Sequence, residues 1–256
     1  MPLIDPVAFN IGPLAVRWYG LLFASGIALA WLLMRVLARS AYSAISARHI
    51  DAVMFWITIG ITAGGRAGDL VFYEFGKLKA DPGSFFDFRQ GGMAFFGGLI
   101  GVAVALILYT RWHRLPLLQL ADITAAATPS GLCLGRIGNF LNGELYGPET
   151  GLPWGLAFTH DGYPRHPTQL YEAGLEGVLL FVLLYPAACW GHALAYPGRT
   201  VGLFMSLYAL FRVGVEVLRI EYDPLRSAGY PLSMSQLLCI PMLMIGIALI
   251  WQSRSR

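Results

Sequence analysis

Charge is the scarcest property of this sequence. Only 13% of its 256 residues are Asp, Glu, Lys or Arg, about half the share found in soluble domains, whereas 56% are hydrophobic. That balance excludes an ordinary soluble globular protein. Lysine is nearly absent: Lys77 and Lys79 are the only two and sit together between apolar stretches. A light-driven pump, which needs a lysine inside the membrane for its Schiff base, is therefore excluded. The three cysteines, Cys133, Cys189 and Cys239, are isolated in apolar context with no CxxC or Cys/His spacing, so neither a disulfide framework nor a metal site is expected. There is no Walker loop and no dinucleotide glycine fingerprint, no low-complexity tract, and no repeat of the kind that builds inverted-repeat transporters.

What is present is a series of apolar runs. Seven approach or reach the 17–25 or so residues a helix needs to cross a hydrocarbon core: about 16–38, 51–73, 92–111, 118–140, 169–188, 200–219 and 235–252. No segment between them is long enough for a second core. The expectation is one all-α integral membrane domain over residues 1–256, with outer loops near 74–91, 141–168 and 220–234. The first run lacks a basic leader and a small-residue cleavage site, so it reads as a retained span rather than a signal peptide. With the N-terminus outside, Arg35, Arg39, Arg48, Arg111, Arg114, Arg199, Arg254 and Arg256 lie inside, against Arg17, Lys77, Lys79, Arg89, Arg165, Arg219 and Arg226 outside. That is almost no positive-inside bias, although most acids, including Asp161 and Glu221, fall outside.

The tally leaves Arg66, Arg136 and Arg212 within or at the margin of spans. Intramembrane charge costs about 2.5–3.5 kcal/mol on insertion scales and faces a bundle interior or a wet cavity. Arg136 and Asn139 share a helix face in the run Gly135 to Glu144, and Gly143 offers a stop that leaves Asn142 and Glu144 at the mouth of the bundle. Tyr208, Arg212, Glu216 and Arg219 form one stripe on the sixth run, and Gln169, Glu172 and Glu176 share a face on the fifth. Mutual pairing, Arg212 with Glu216 or Glu172 with Arg136, is the plainer account of any one pair. Polar residues on four spans together favour a polar, lipid-accessible central cavity, and arginine without lysine favours an anion with planar oxygens. In a membrane the common one is a lipid phosphate. Paired glycines at 64–65, 91–92 and 97–98 are read first as close helix packing. Phe85, Phe86 and Phe88 beside Lys77 and Lys79 suit either an interfacial anchor or an ordinary turn. The Pro-rich stretch from Gly143 to Thr168 suits an ordered lid.

The runs GRIGNFLNGELYG, RHPTQLYEAGLEG, RWYGLLFASG and GGMAFFGGLIG, in their order along the chain, resemble the bacterial prolipoprotein diacylglyceryl transferase family. The resemblance implies a seven-span inner-membrane enzyme with a periplasmic N-terminus and a cytoplasmic C-terminus. Such an enzyme moves the diacylglyceryl group of phosphatidylglycerol to the lipobox cysteine of prolipoprotein signal peptides and releases glycerol phosphate. It implies no metal, no cofactor and no nucleic-acid partner. On this resemblance Arg136 and Arg212 hold the phosphate, Asn139, Asn142 and Glu144 shape the headgroup site, and Tyr19, Arg66, Tyr208, Glu216 and Arg219 match further cavity positions. His166 matches the histidine of a His-Pro loop motif. Two positions depart from the family pattern: Phe96 stands where a histidine favoured for proton transfer is usual, and Asp69 where an aromatic is usual. The first leaves Glu144, His166 or Asp69 as alternative bases, and leaves open a paralogue that binds anionic phospholipid or lipoprotein precursors with little turnover.

Overall fold

A computed structural model describes residues 5–87, 92–158, 162–219 and 223–254, with Leu14 described in its backbone only. Phe88, Arg89, Asp161, Glu221 and Arg256, all weighed above, lie outside the described residues. Helix forms at each of the seven expected stretches: α1 (Trp18–Leu37), α2 (Ala47–Phe72), α4 (Phe95–His113), α5 (Leu117–Asn142), the continuous α6 (Thr168–Glu172) to α7 (Leu180–Cys189), α8 (Arg199–Glu216) and α10 (Met234–Arg254). Five of these, α1, α4, α5, α6–α7 and α10, are long and apolar enough to cross a membrane. The charges of α2 and α8 explain why those two fall below that mark: Arg48, Asp51, Arg66 and Asp69 on α2, and Arg199, Arg212 and Glu216 on α8.

Short α3 (Phe75–Ala80) and α9 (Pro224–Ser227) occupy loops. Among the described residues a two-stranded hairpin accompanies the helices. Strands β1 (Val7–Ile11) and β2 (Leu14–Arg17) pair antiparallel, Ile11 opposite Leu14, around Gly12 at φ +57°. A turn through Gly12-Pro13 suits a hairpin because glycine takes positive φ without strain and proline fixes its own.

The bundle closes through small residues and an apolar core. A Cβ on Gly60 would lie 2.6 Å from the Gly101 carbonyl oxygen, and one on Gly64 would lie 2.8 Å from Gly101 Cα. Gly60, Gly64, Gly97 and Gly101 therefore let α2 and α4 touch backbone to backbone, which is how membrane helices gain contact without a hydrophobic driving force. Gly92 instead makes a turn at φ +80°. One buried cluster, including Met34, Ile50, Ile57 and Ile123, fills the end of the bundle where α1 finishes and α5 begins. A second, including Phe96, Leu180, Phe204 and Met242, supports the charged residues described next.

Candidate functional site

The last turn of α5 folds back on itself. Gly143 takes a left-handed conformation, φ 67° and ψ 32°, and the Glu144 N–H donates to the Asn139 carbonyl at 3.1 Å. This satisfies a carbonyl left over at the helix end and sets the exposed Glu144 side chain against the last turn of α5. Its Oε1 accepts from Asn139 Nδ2 at 2.9 Å and Asn142 Nδ2 at 3.3 Å. Gly138 lets Tyr19 of α1 lie flat on α5, since a Cβ there would stand 3.1 Å from the tyrosine ring. Tyr19, Arg136 and Asn139 thus converge at one end of the bundle.

Behind Arg136 stands a network of carboxylates. Between α6 and α7 the helix widens into a π-helical segment, Ala173–Leu179, a form that is rare and frequent at functional sites. Gly177 in that segment packs so tightly that a Cβ would meet Cys133 Cβ at 2.6 Å. The close approach brings Glu172 and Glu176, both fully buried, to Arg136: Nε to Glu172 Oε2 is 3.2 Å and Nη2 to Glu176 Oε2 is 3.5 Å. Glu172 Oε1 also receives Arg212 Nη1, and Arg219 Nη1 at 2.6 Å. Arg212 Nη2 pairs with Glu216 at 2.9 Å and donates to Ser235 Oγ at 3.4 Å, which in turn meets the Tyr73 hydroxyl at 3.1 Å. Among the described residues three guanidiniums and three carboxylates meet here, with Glu172 at the hub. Tyr208 is buried beside them and stacks on Phe95, ring centroids 4.3 Å apart.

In front of Arg136 lies an apolar chamber of about 600 Å³. Its polar end is lined by Tyr19, Arg136 and Asn139, and it continues past Phe95 and Phe204 to Leu118 and Leu249. Arg136 and Leu118 are eighteen residues apart on α5, about 27 Å of helix. One guanidinium at the head of a long greasy cavity is the form of a site for an amphiphile with an anionic head.

The proposed residues divide by position. Tyr19, Arg136 and Asn139 line the chamber; Glu144 and Asn142 close its polar end through Asn139. Arg212, Glu216 and Arg219 lie in the ion network, with Tyr208 against them, and none of the four lines the chamber. Arg66 is elsewhere: fully buried, it donates to the Ser84 carbonyl at 2.7 Å and the Gly92 carbonyl at 3.5 Å, and pairs with Asp69 at 3.4 Å. It ties the 81–92 loop to α2, while its neighbour Gly65 lines the chamber. His166 is held in the 143–168 loop, with Nδ1 3.1 Å from the Tyr171 hydroxyl, which accepts from Trp154 Nε1 at 2.8 Å. Phe96 is buried among Leu180, Phe204 and Met242, whereas Phe95 faces the chamber.

Gln169, which shares a face with Glu172 and Glu176, donates to the Glu144 carbonyl and so ties the mouth to α6. Ser235 and Tyr73 had no sequence signal. Glu172 and Glu176 were visible as a shared face with Gln169, but only as charge partners.

The profile of the family described as prolipoprotein diacylglyceryl transferase matches residues 6–252. The chain belongs to that family. It is 45% identical to the phosphatidylglycerol–prolipoprotein diacylglyceryl transferase of Nitrobacter winogradskyi, over all of this chain and 90% of the relative. The protein of the same name from Agrobacterium fabrum is 43% identical over 99% of this chain and 94% of the relative. That from Methylococcus capsulatus is 43% identical over 100% and 97%. Because this diacylglyceryl transferase relative aligns end to end with such proteins, the hairpin, the α5 terminus and the π-helical segment all lie inside the matched region.

Proposed function

We propose that this protein transfers the diacylglyceryl group of phosphatidylglycerol to the lipobox cysteine thiol of prolipoproteins, releasing glycerol phosphate. The observation that carries the reading is Arg136: its side chain, 13% exposed, heads an apolar chamber while buried Glu172 and Glu176 brace it from behind. Relatives named for this reaction match the chain at 43–45% identity.

In this reading the lipid phosphate meets the face of Arg136 that the carboxylates leave free, and the acyl chains run down the chamber. Arg212 and Arg219 act through Glu172, holding the hub that orients Arg136. The substrate sulfur forms a bond to the terminal glyceryl carbon as the bond from that carbon to the phosphate oxygen breaks. Glycerol phosphate departs with the bonding electron pair, its charge stabilised by a guanidinium already in place. The thiol proton goes to Glu144, whose Oε1 is occupied by the two asparagines and whose second oxygen is available for a proton. Neither Phe96, in apolar surroundings, nor His166, bound to Tyr171, suits that task.

We place all seven long helices across the inner membrane, around a chamber open to lipid, with the N-terminus periplasmic and the 143–168 loop outside. Two features support this. Exposed Trp112, Trp190 and Trp251 gather at the ends of α4, α7 and α10 opposite Glu144, as an interfacial aromatic belt would. Arg35, Arg39, Arg48, Arg111, Arg114 and Arg199 lie at the same end, where Asp51 is paired with Arg35 at 3.3 Å.

A second reading, a paralogue that binds the lipid without turnover, is favoured only by Phe96. Purified protein in vesicles of phosphatidylglycerol, given a lipobox peptide, decides between them by mass spectrometry. A diacylglyceryl adduct on the peptide cysteine is expected. Intact lipid binding without any adduct would favour the paralogue.

A further inference from the structure

The α8 helix starts without a cap of its own. Its N-cap is Gly198, at φ +97° and with no side chain to accept from the first-turn amides. Gly198 and Thr200 are buried in the bundle, and amides left open there carry an uncompensated desolvation cost. The partner comes from another helix. Asp122, fully buried on the second turn of α5, accepts from Gly198 N–H at 2.7 Å through Oδ2 and from Val201 N–H at 2.8 Å through Oδ1.

This arrangement does more than satisfy two amides. A Ser, Thr or Asp at position 198 would cap a helix locally; with glycine there, the cap requires a carboxylate buried in the bundle, an expensive choice unless it fixes something. What it fixes is the height of α8 beside α5. Charge-assisted hydrogen bonds at both carboxylate oxygens, helped by the positive end of the helix dipole, cannot survive sliding of one helix along the other. Both helices run from this cap toward the ion network. Asp122 to Arg136 is fourteen residues, about 21 Å, on α5, and Val201 to Arg212 is eleven, about 17 Å, on α8. Next to the cap, Val201, Phe204 and Met205 of α8 and Ala121 and Ala125 of α5 all line the chamber.

We infer that Asp122 is a positioning residue for the transfer reaction: by capping α8 from α5 it sets the level at which Arg212, paired with Glu216, meets Glu172, and so the aim of Arg136. The inference rests on the transferase reading, and it has a specific consequence. Arg136 lies on α5 itself, so lipid capture survives loss of the cap, while the network supplied by α8 shifts. Misplacement of about 1 Å by a distant change can lower a rate about 10²-fold.

The test uses the full chain in phosphatidylglycerol vesicles, with Asp122→Leu and Asp122→Asn beside the unmodified protein. Asp122→Leu is expected to lower kcat about 10²-fold with KM little changed. Asn, which keeps one acceptor, should recover much of the loss, and it serves as the graded test if the Leu variant does not fold. A wild-type kcat per folded molecule for the Leu variant would overturn the inference, as would an Asn variant no better than Leu. Amide hydrogen exchange reads the same point without turnover. Loss of the cap should speed exchange at residues 198–201 and also at 208–216; acceleration confined to 198–201 would reduce Asp122 to a local cap. Absence of thioether from the unmodified chain would count against the transferase reading, and the exchange pattern would still decide for Asp122.

Discussion

Neutralising Glu172 should be the most damaging single-charge change in the molecule. Its side chain is fully buried and faces Arg136 at 3.2 Å, Arg219 at 2.6 Å, and Arg212. Glu172→Gln keeps the shape and leaves three guanidiniums to Glu176 and Glu216. Breaking a buried pair by removing one partner costs about 3–5 kcal/mol, because an uncompensated charge stays behind. Here one carboxylate serves three cations, so the upper end of that range applies. Glu216→Gln is the internal control: Glu216 is also buried, but among the described residues it pairs with Arg212 alone, at 2.9 Å, and it should cost clearly less. The assay is equilibrium unfolding of both variants in the same detergent, followed by phosphatidylglycerol binding to the folded fraction. Glu172→Gln should be the less stable and should also bind lipid more weakly, since Arg136 loses its main brace. Equal losses for the two variants, or a loss below about 1 kcal/mol for Glu172→Gln, would refute the hub.

Arg136→Lys should keep the charge and lose the planar fork that holds two carboxylates and a phosphate together; a drop in transfer of about tenfold or more is expected in the peptide assay, with Arg136→Ala inactive. Phe96→His should not raise turnover, because Phe95 rather than Phe96 lines the chamber; a faster enzyme would mean that proton transfer at this position limits the rate. Gly64→Leu should prevent normal accumulation of folded protein, since even its Cβ would stand 2.8 Å from Gly101 Cα. A wild-type yield in membranes would show that α2 and α4 do not cross as described.

Local signals were the legible ones. Gly143 announced the end of α5, because a left-handed stop needs only a glycine in the right place. Tyr208, Arg212 and Glu216 of the stripe share a face of α8, since i, i+4 spacing follows from helix geometry alone, while Arg219 reaches the same network from just past the helix end. Helix facing was harder. Arg66 and Gly65 are adjacent, yet one anchors the 81–92 loop and the other lines the chamber; only the packing of α2 against α4 decides which points where. The π-helical segment left no trace, because Glu172 and Glu176 share a face at ordinary helical spacing as well. Asp122 was passed over for a related reason. Its partners are backbone amides of a helix nearly eighty residues away, and backbone amides have no sequence signature.

The central claim is that Arg136 holds a lipid phosphate while a thiol displaces it from the glyceryl carbon. The most direct test follows phosphatidylglycerol labelled in its headgroup glycerol together with a lipobox peptide, and counts both products. One glycerol phosphate released for each thioether formed, with both lost in Arg136→Ala, is the expected result. Thioether formation that persists in Arg136→Ala, or headgroup release without thioether, would contradict it.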